Sequence, residues 1–190
     1  MVAFWQALGI IFLAEMGDKT QLVSLALAAR YGAPVVLGGV FAATLAVHLF
    51  SVAIGEALGL ALPLLWIQLL AGLAFIGFGL WTLRGDTVDD DEAHHHSRLG
   101  PFLAVAVTFF LAELGDKTML ATVTIASQQQ AFLPVWLGST LGMVVADGLA
   151  IWVGVVAGKR LPARAIQIGA AIVFLGFGAL TLATAVFQAI

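Results

Sequence analysis

Cysteine is absent from this chain and charge is scarce: of 190 residues only 10% are Asp, Glu, Lys or Arg, against 62% hydrophobic, with a mean hydropathy of +1.07. The first absence excludes disulfides, thiolate metal sites and a cysteine nucleophile. The second excludes an ordinary soluble domain, in which about a quarter of residues are charged. The chain therefore reads as an integral membrane protein. A net charge of −3 gives no reason to expect a nucleic-acid partner. The N-terminal stretch has neither the basic region nor the small-residue cleavage site of a signal peptide, so it is expected to stay as a spanning helix.

Crossing about 30 Å of hydrocarbon takes roughly 20 apolar residues. Six segments qualify, near 2 to 29, 34 to 56, 64 to 83, 101 to 127, 133 to 157 and 164 to 187. They are punctuated by "RYGAP", "LALP", "RGDTVDDDEAHHHSRLGP", "QQQAFLP" and "GKRLP". The runs are long rather than alternating, which excludes strands. The expected fold is an all-α integral membrane protein with six transmembrane helices. Of the eight basic residues, Lys19 and Lys117 lie inside apolar segments. Arg30, Arg84, Arg98, Lys159, Arg160 and Arg164 fall in the first, third and fifth loops. By the positive-inside rule those loops are cytoplasmic and both termini face out.

"AEMGDKTQL" at 14 to 22 is echoed by "AELGDKTML" at 112 to 120. The echo continues: Glu113 follows Glu15 by 98 residues (113 − 15), Asp147 falls opposite His48, Gln167 opposite Gln68, and "FLGFG" at 174 opposite "FIGFG" at 75. The chain divides into a first three-helix repeat at 1–84, an acidic, His-containing cytoplasmic linker at 85–100 and a second three-helix repeat at 101–190. Three is odd, so the second repeat enters the membrane from the opposite face. Inverted repeats of this kind are a recurring plan of secondary transporters, with the site near the midplane between the repeats.

Glu15 and Asp18, Glu113 and Asp116, His48 and Asp147 are all placed near mid-helix. A charge there costs at least about 2.5 to 3.5 kcal/mol, so five carboxylates need a compensating role. Glu15 with Lys19 and Glu113 with Lys117 have the i,i+4 spacing of internal salt bridges. That arrangement would make the lysines structural and leave Asp18, Asp116 and Asp147 unpaired. The glycine of each "GDK" could alternatively interrupt its helix. Carboxylates with Thr20, Gln21, Ser24, Thr118 and Thr122 nearby form a hard oxygen set suited to Mn²⁺, Ca²⁺ or Mg²⁺. Five carboxylates and two ammonium groups leave a formal −3, which one divalent ion and one proton would bring near zero. Competition of cation and proton for one site is the minimal device of an antiporter.

"EMGDKT" and "ELGDKT" resemble the E-x-G-D-[KR]-[ST] motif of the family that includes the human Golgi manganese/calcium transporter, its yeast and chloroplast relatives, and the bacterial MneA-type manganese exporters. The resemblance covers the whole chain. It implies export of Mn²⁺ or Ca²⁺ against protons, with the metal as transported substrate rather than cofactor and no enzymatic role. Its motif acids, carried over, are Glu15, Asp18, Glu113 and Asp116 as cation ligands, with Thr20 and Thr118 as lesser ones. Gln21 follows the first motif where Met119 follows the second, so the expected site is only pseudo-symmetric.

His48 and Asp147 are candidates for proton coupling or accessory ligation, as are Lys19 and Lys117; helix-to-helix bonding is the alternative role. "DDDEAHHH" at 89 to 96 reads as a charged linker, and "GEALG", "GSTLG" and "GVVAG" as packing rows. The five tryptophans read mostly as interfacial anchors. The rival functions are an exporter of small organic cations such as amino acids, an intramembrane aspartyl protease and an assembly protein. The absence of a targeting extension favours a bacterial plasma membrane. Oligomeric state is open, a homodimer included.

Overall fold

The computed structural model describes residues 1–84, 100–157 and 163–189. Among them every regular element is helical: α1 (Val2–Glu15), α2 (Lys19–Tyr31), α3 (Ala33–Ala61), α4 (Leu64–Arg84), α5 (Pro101–Glu113), α6 (Lys117–Gln129), α7 (Phe132–Ala157) and α8 (Ala163–Ala189). Four of these, α3, α4, α7 and α8, are long and apolar enough to cross a bilayer. The single helices expected at 2 to 29 and 101 to 127 are each two helices, interrupted at Met16 to Asp18 and at Leu114 to Asp116. Hydropathy does not register these breaks, because apolar side chains continue on both sides. At 1.5 Å per residue each piece reaches only about 20 Å, short of the hydrocarbon thickness.

The remaining boundaries follow from turn chemistry. Gly32, at φ 87°, ends α2 by giving its N–H to Ala28 O at 2.9 Å and begins α3, which carries Pro34 in its first turn. Pro101 opens α5. The left-handed Gln130, at φ 46°, closes α6 through its N–H to Ala126 O at 3.1 Å.

The broken helices lie against the long ones: α1 packs on α7, and α5 and α6 both pack on α3. Helix α7 also meets α2 and α3, while α4 and α8 pair with each other. One buried cluster joins Ile11, Val52, Phe75, Ile125, Met143 and Phe174; a second joins Leu27, Val36, Val40, Phe109 and Ile151. Phe75 and Phe174, equivalent positions of the two echoing segments, stack with ring centroids 6.1 Å apart. Trp5, Trp66, Trp81 and Trp152 are exposed, whereas Trp136 turns inward and donates to Leu45 O at 2.9 Å.

Lipid tails are as apolar as the side chains, so helices here associate through close packing rather than through exclusion from water. Gly138 and Gly142 admit the α1 backbone against α7: a Cβ on Gly142 would stand 2.6 Å from Leu8 O. Gly9 has open space around it. Gly142→Ala should therefore lower the thermal unfolding temperature of the detergent-solubilised protein by the equivalent of about 1 to 3 kcal/mol, and Gly9→Ala should leave it unchanged or raise it.

Candidate cation site

Each motif builds the same short device. Glu15 is the last residue of α1, Met16 is extended (φ −63°, ψ 120°), Gly17 has φ 80°, and Asp18 N donates to Glu15 O at 3.0 Å. This is a type II turn, whose third position needs a positive φ and hence glycine. In the second copy Leu114 (φ −66°, ψ 112°), Gly115 (φ 81°) and an Asp116 N–H to Glu113 O bond of 3.2 Å repeat it. The aspartate then caps the next helix: Asp18 Oδ2 accepts from Thr20 N at 3.3 Å, and Asp116 Oδ2 from Thr118 N at 3.5 Å. The threonine hydroxyl reaches back over the turn to the glutamate, Thr20 Oγ1 to Glu15 Oε1 and Thr118 Oγ1 to Glu113 Oε2, the latter at 2.6 Å. Glu, Gly, Asp and Thr of the motif thus each have a geometric task.

The polar side chains of the turns are largely buried, although the second turn is exposed at Leu114 and Gly115. Glu15, Asp18, Thr20, Gln21, Glu113, Lys117 and Thr118 are buried, as are His48 of α3 and Asp147 of α7, while Asp116 is half-buried. Glu15 is within Coulombic reach of Glu113, Asp18 and Asp147, so acids from both motifs and from α7 share one region. Several of their atoms have no hydrogen-bond partner: Glu15 Oε2, Glu113 Oε1, both carboxylate oxygens of Asp147, and His48 Nε2. Ser24 neighbours Asp147 but gives its proton to Gln21 O at 2.9 Å. His48 Nδ1 stands 3.5 Å from Thr140 Oγ1. Among the described residues no three acids or histidines converge closely enough to hold a metal ion as they stand.

One expectation changes. Lys117 does not pair with Glu113 inside its own motif; its ammonium meets Asp18 Oδ1 of the other one, and both side chains are buried. The helix turns between Glu113 and Lys117, so helical i,i+4 geometry does not apply, and Asp18 is not unpaired. Gln21 acts as a brace: its Oε1 accepts from Gly17 N at 2.7 Å and its Nε2 donates to Ala146 O of α7 at 3.0 Å. Its counterpart Met119 offers only a sulfur to Gly115 N, at 3.2 Å. The side chain of Lys19 and the "DDDEAHHH" stretch lie outside the described residues. Sequence reasoning missed Thr140 beside His48 and the crossing of Lys117 to Asp18.

Helices with apolar surfaces, four of them long enough to cross a bilayer, and acids buried beside two helix breaks define an integral membrane protein with an acidic interior. The chain belongs to the family described as "Divalent cation/proton antiporter GDT1", which it matches over residues 3–90 and 101–189. Its relatives include a Vibrio cholerae protein designated "Putative manganese exporter", 37% identical over 182 residues that cover 93% of this chain and 87% of that protein. They also include GDT1-like protein 5 of Arabidopsis thaliana, 27% identical over 228 residues covering 96% of each chain. No solved structure matches.

Gly115 isolates the contribution of the turn itself, because a Cβ there would meet nothing within 4 Å. Gly115→Ala should still destabilise the protein by about 1 to 2 kcal/mol through the positive φ alone, with Gly115→Asn milder; thermal unfolding of the purified variants measures both.

Proposed function

We propose that this protein is a secondary transporter exporting Mn²⁺, with Ca²⁺ as a second substrate, in exchange for protons. The observation that carries the reading is the pair of matching turns. They bring Glu15, Asp18 and Glu113 into one buried region in which carboxylate oxygens lack donors. Oxygen ligands without sulfur suit hard divalent cations. The family's description as a divalent cation/proton antiporter and the designation of the Vibrio cholerae relative point the same way.

In this reading α1 with α2, and α5 with α6, each make one interrupted crossing, so the chain crosses six times as two inverted three-helix repeats. The separate matches of the two halves to the family and the stacking of Phe75 on Phe174 support it. A broken helix within a bilayer is tolerated only where protein covers the break or water lines it. Glu15, Asp18, Glu113 and Asp116 are the ligands, with Thr20 and Thr118 orienting the glutamates and Gln21 holding the first turn. Asp147 and His48, on the long helices that flank the breaks, are the groups that exchange protons as the cation comes and goes. Alternating access follows from rocking one repeat against the other around this region. Both termini face outward and the central linker lies in the cytoplasm of a bacterial cell.

Mn²⁺ and Ca²⁺ uptake into proteoliposomes under an imposed pH gradient tests the exchange. Wild type should show gradient-driven flux, and Glu15→Gln and Glu113→Gln should each lower it at least about tenfold, the equivalent of 1.4 kcal/mol or more. Flux indifferent to the gradient would remove proton coupling. Flux of neither ion would return the organic-cation exporter to first place. The absence of cysteine makes the topology directly testable. A single cysteine in the 85–99 linker should react with a membrane-impermeant maleimide only after the cytoplasmic face is exposed, and one placed near residue 131 should react in intact cells.

A further inference from the structure

The ammonium of Lys117 stands beside one of four buried acids and is supplied by the opposite repeat. Its partner Asp18 lies 99 residues away in the chain. Around that contact the remaining acids are short of donors. Glu15 and Glu113 each have one oxygen bonded by a threonine and one without a partner, and Asp147 has neither oxygen bonded. A salt bridge serving only as glue between helices would be expected within a region otherwise satisfied, since a partly satisfied buried polar network is costly. Here the positive charge lies instead among carboxylates that are still open. Those carboxylates are also not gathered closely enough, among the described residues, to hold an ion.

We propose that Lys117 is a tethered counter-cation: its ammonium occupies the charge position on Asp18 that a divalent cation takes, and entry of the cation displaces it. This rests on the cation-exchange reading. Lysine suits the task because its ammonium is a compact point charge on a flexible four-carbon stem. It begins α6 immediately after the second turn, so a displaced ammonium pulls on the backbone beside Asp116. Arrival of a cation at Asp18 of one repeat is thereby felt at the turn of the other. Lys117 is a positioning and competing residue, not a ligand.

Direct Mn²⁺ binding to the purified full-length protein in detergent separates the possibilities, measured for wild type, Lys117→Met, Lys117→Arg and Asp18→Asn. Removing the competitor should tighten Mn²⁺ binding in Lys117→Met by about tenfold while slowing exchange in proteoliposomes. Lys117→Arg, which keeps the charge, should bind close to wild type. Asp18→Asn should lose binding. Unchanged or weaker binding in folded Lys117→Met would overturn the tethered counter-cation and leave the transport reading standing, provided wild type binds Mn²⁺ and Asp18→Asn does not. Absence of Mn²⁺ binding in wild type would overturn both. Should Lys117→Met fail to fold, amine labelling of the wild type followed by mass spectrometry gives the answer. Labelling of Lys117 should rise several-fold when Mn²⁺ is added, and labelling that Mn²⁺ leaves unchanged would overturn the proposal.

Discussion

A carboxylate inside a hydrocarbon slab needs donors, and water is not there to provide them. Much of the local structure answers that requirement. A continuous helix has no spare N–H groups, since each is used four residues back along the chain. Interrupting the helix with a type II turn frees the first N–H groups of the next segment, and Asp18 and Asp116 accept from them. Placing threonine second in the new helix returns a hydroxyl to the glutamate left behind at the end of the old one. What the turns cannot supply locally, Lys117 supplies from the other half. Among the acids of the described residues, one oxygen of Glu15, one of Glu113 and both of Asp147 still lack a donor, and in the proposed function these are the oxygens a cation would satisfy.

The rest of the fold protects that arrangement. The first break lies beside α7, whose Ala146 O accepts from Gln21, and α5 and α6 pack on α3; both α3 and α7 are long and apolar enough to cross a bilayer. Close contact is made possible by missing side chains, as where Gly138 and Gly142 receive the α1 backbone. The same long helices carry the buried His48 and Asp147 near their centres.

Much of this was legible beforehand. Composition alone identifies a membrane protein, and six apolar stretches locate every helix except for two divisions. Those divisions were invisible to hydropathy because Leu114 and Met16 are as apolar as their neighbours; they were visible in the glycine and aspartate that follow. The acids could be chosen from their improbable depth. Their pairing could not, because the i,i+4 spacing of Glu113 and Lys117 presupposes an unbroken helix and the contact made is between residues 99 apart. The two hydrogen bonds of the Gln21 amide, from Gly17 N and to Ala146 O, could not be read from sequence either, because they depend on where the first turn and the α7 backbone lie.

Those bonds set the two halves apart energetically. Two identical repeats would make the outward and inward forms of the proposed cycle mirror images of equal free energy, with no preferred resting side. Gln21 ties the first turn to α7 through an amide, while Met119 offers the second turn only a thioether. A hydrogen bond of ordinary strength contributes about 0.5 to 1.5 kcal/mol, enough to skew a two-state population severalfold. In the proposed cycle this one difference would tilt an otherwise even balance and give a carrier a side of the membrane on which to wait.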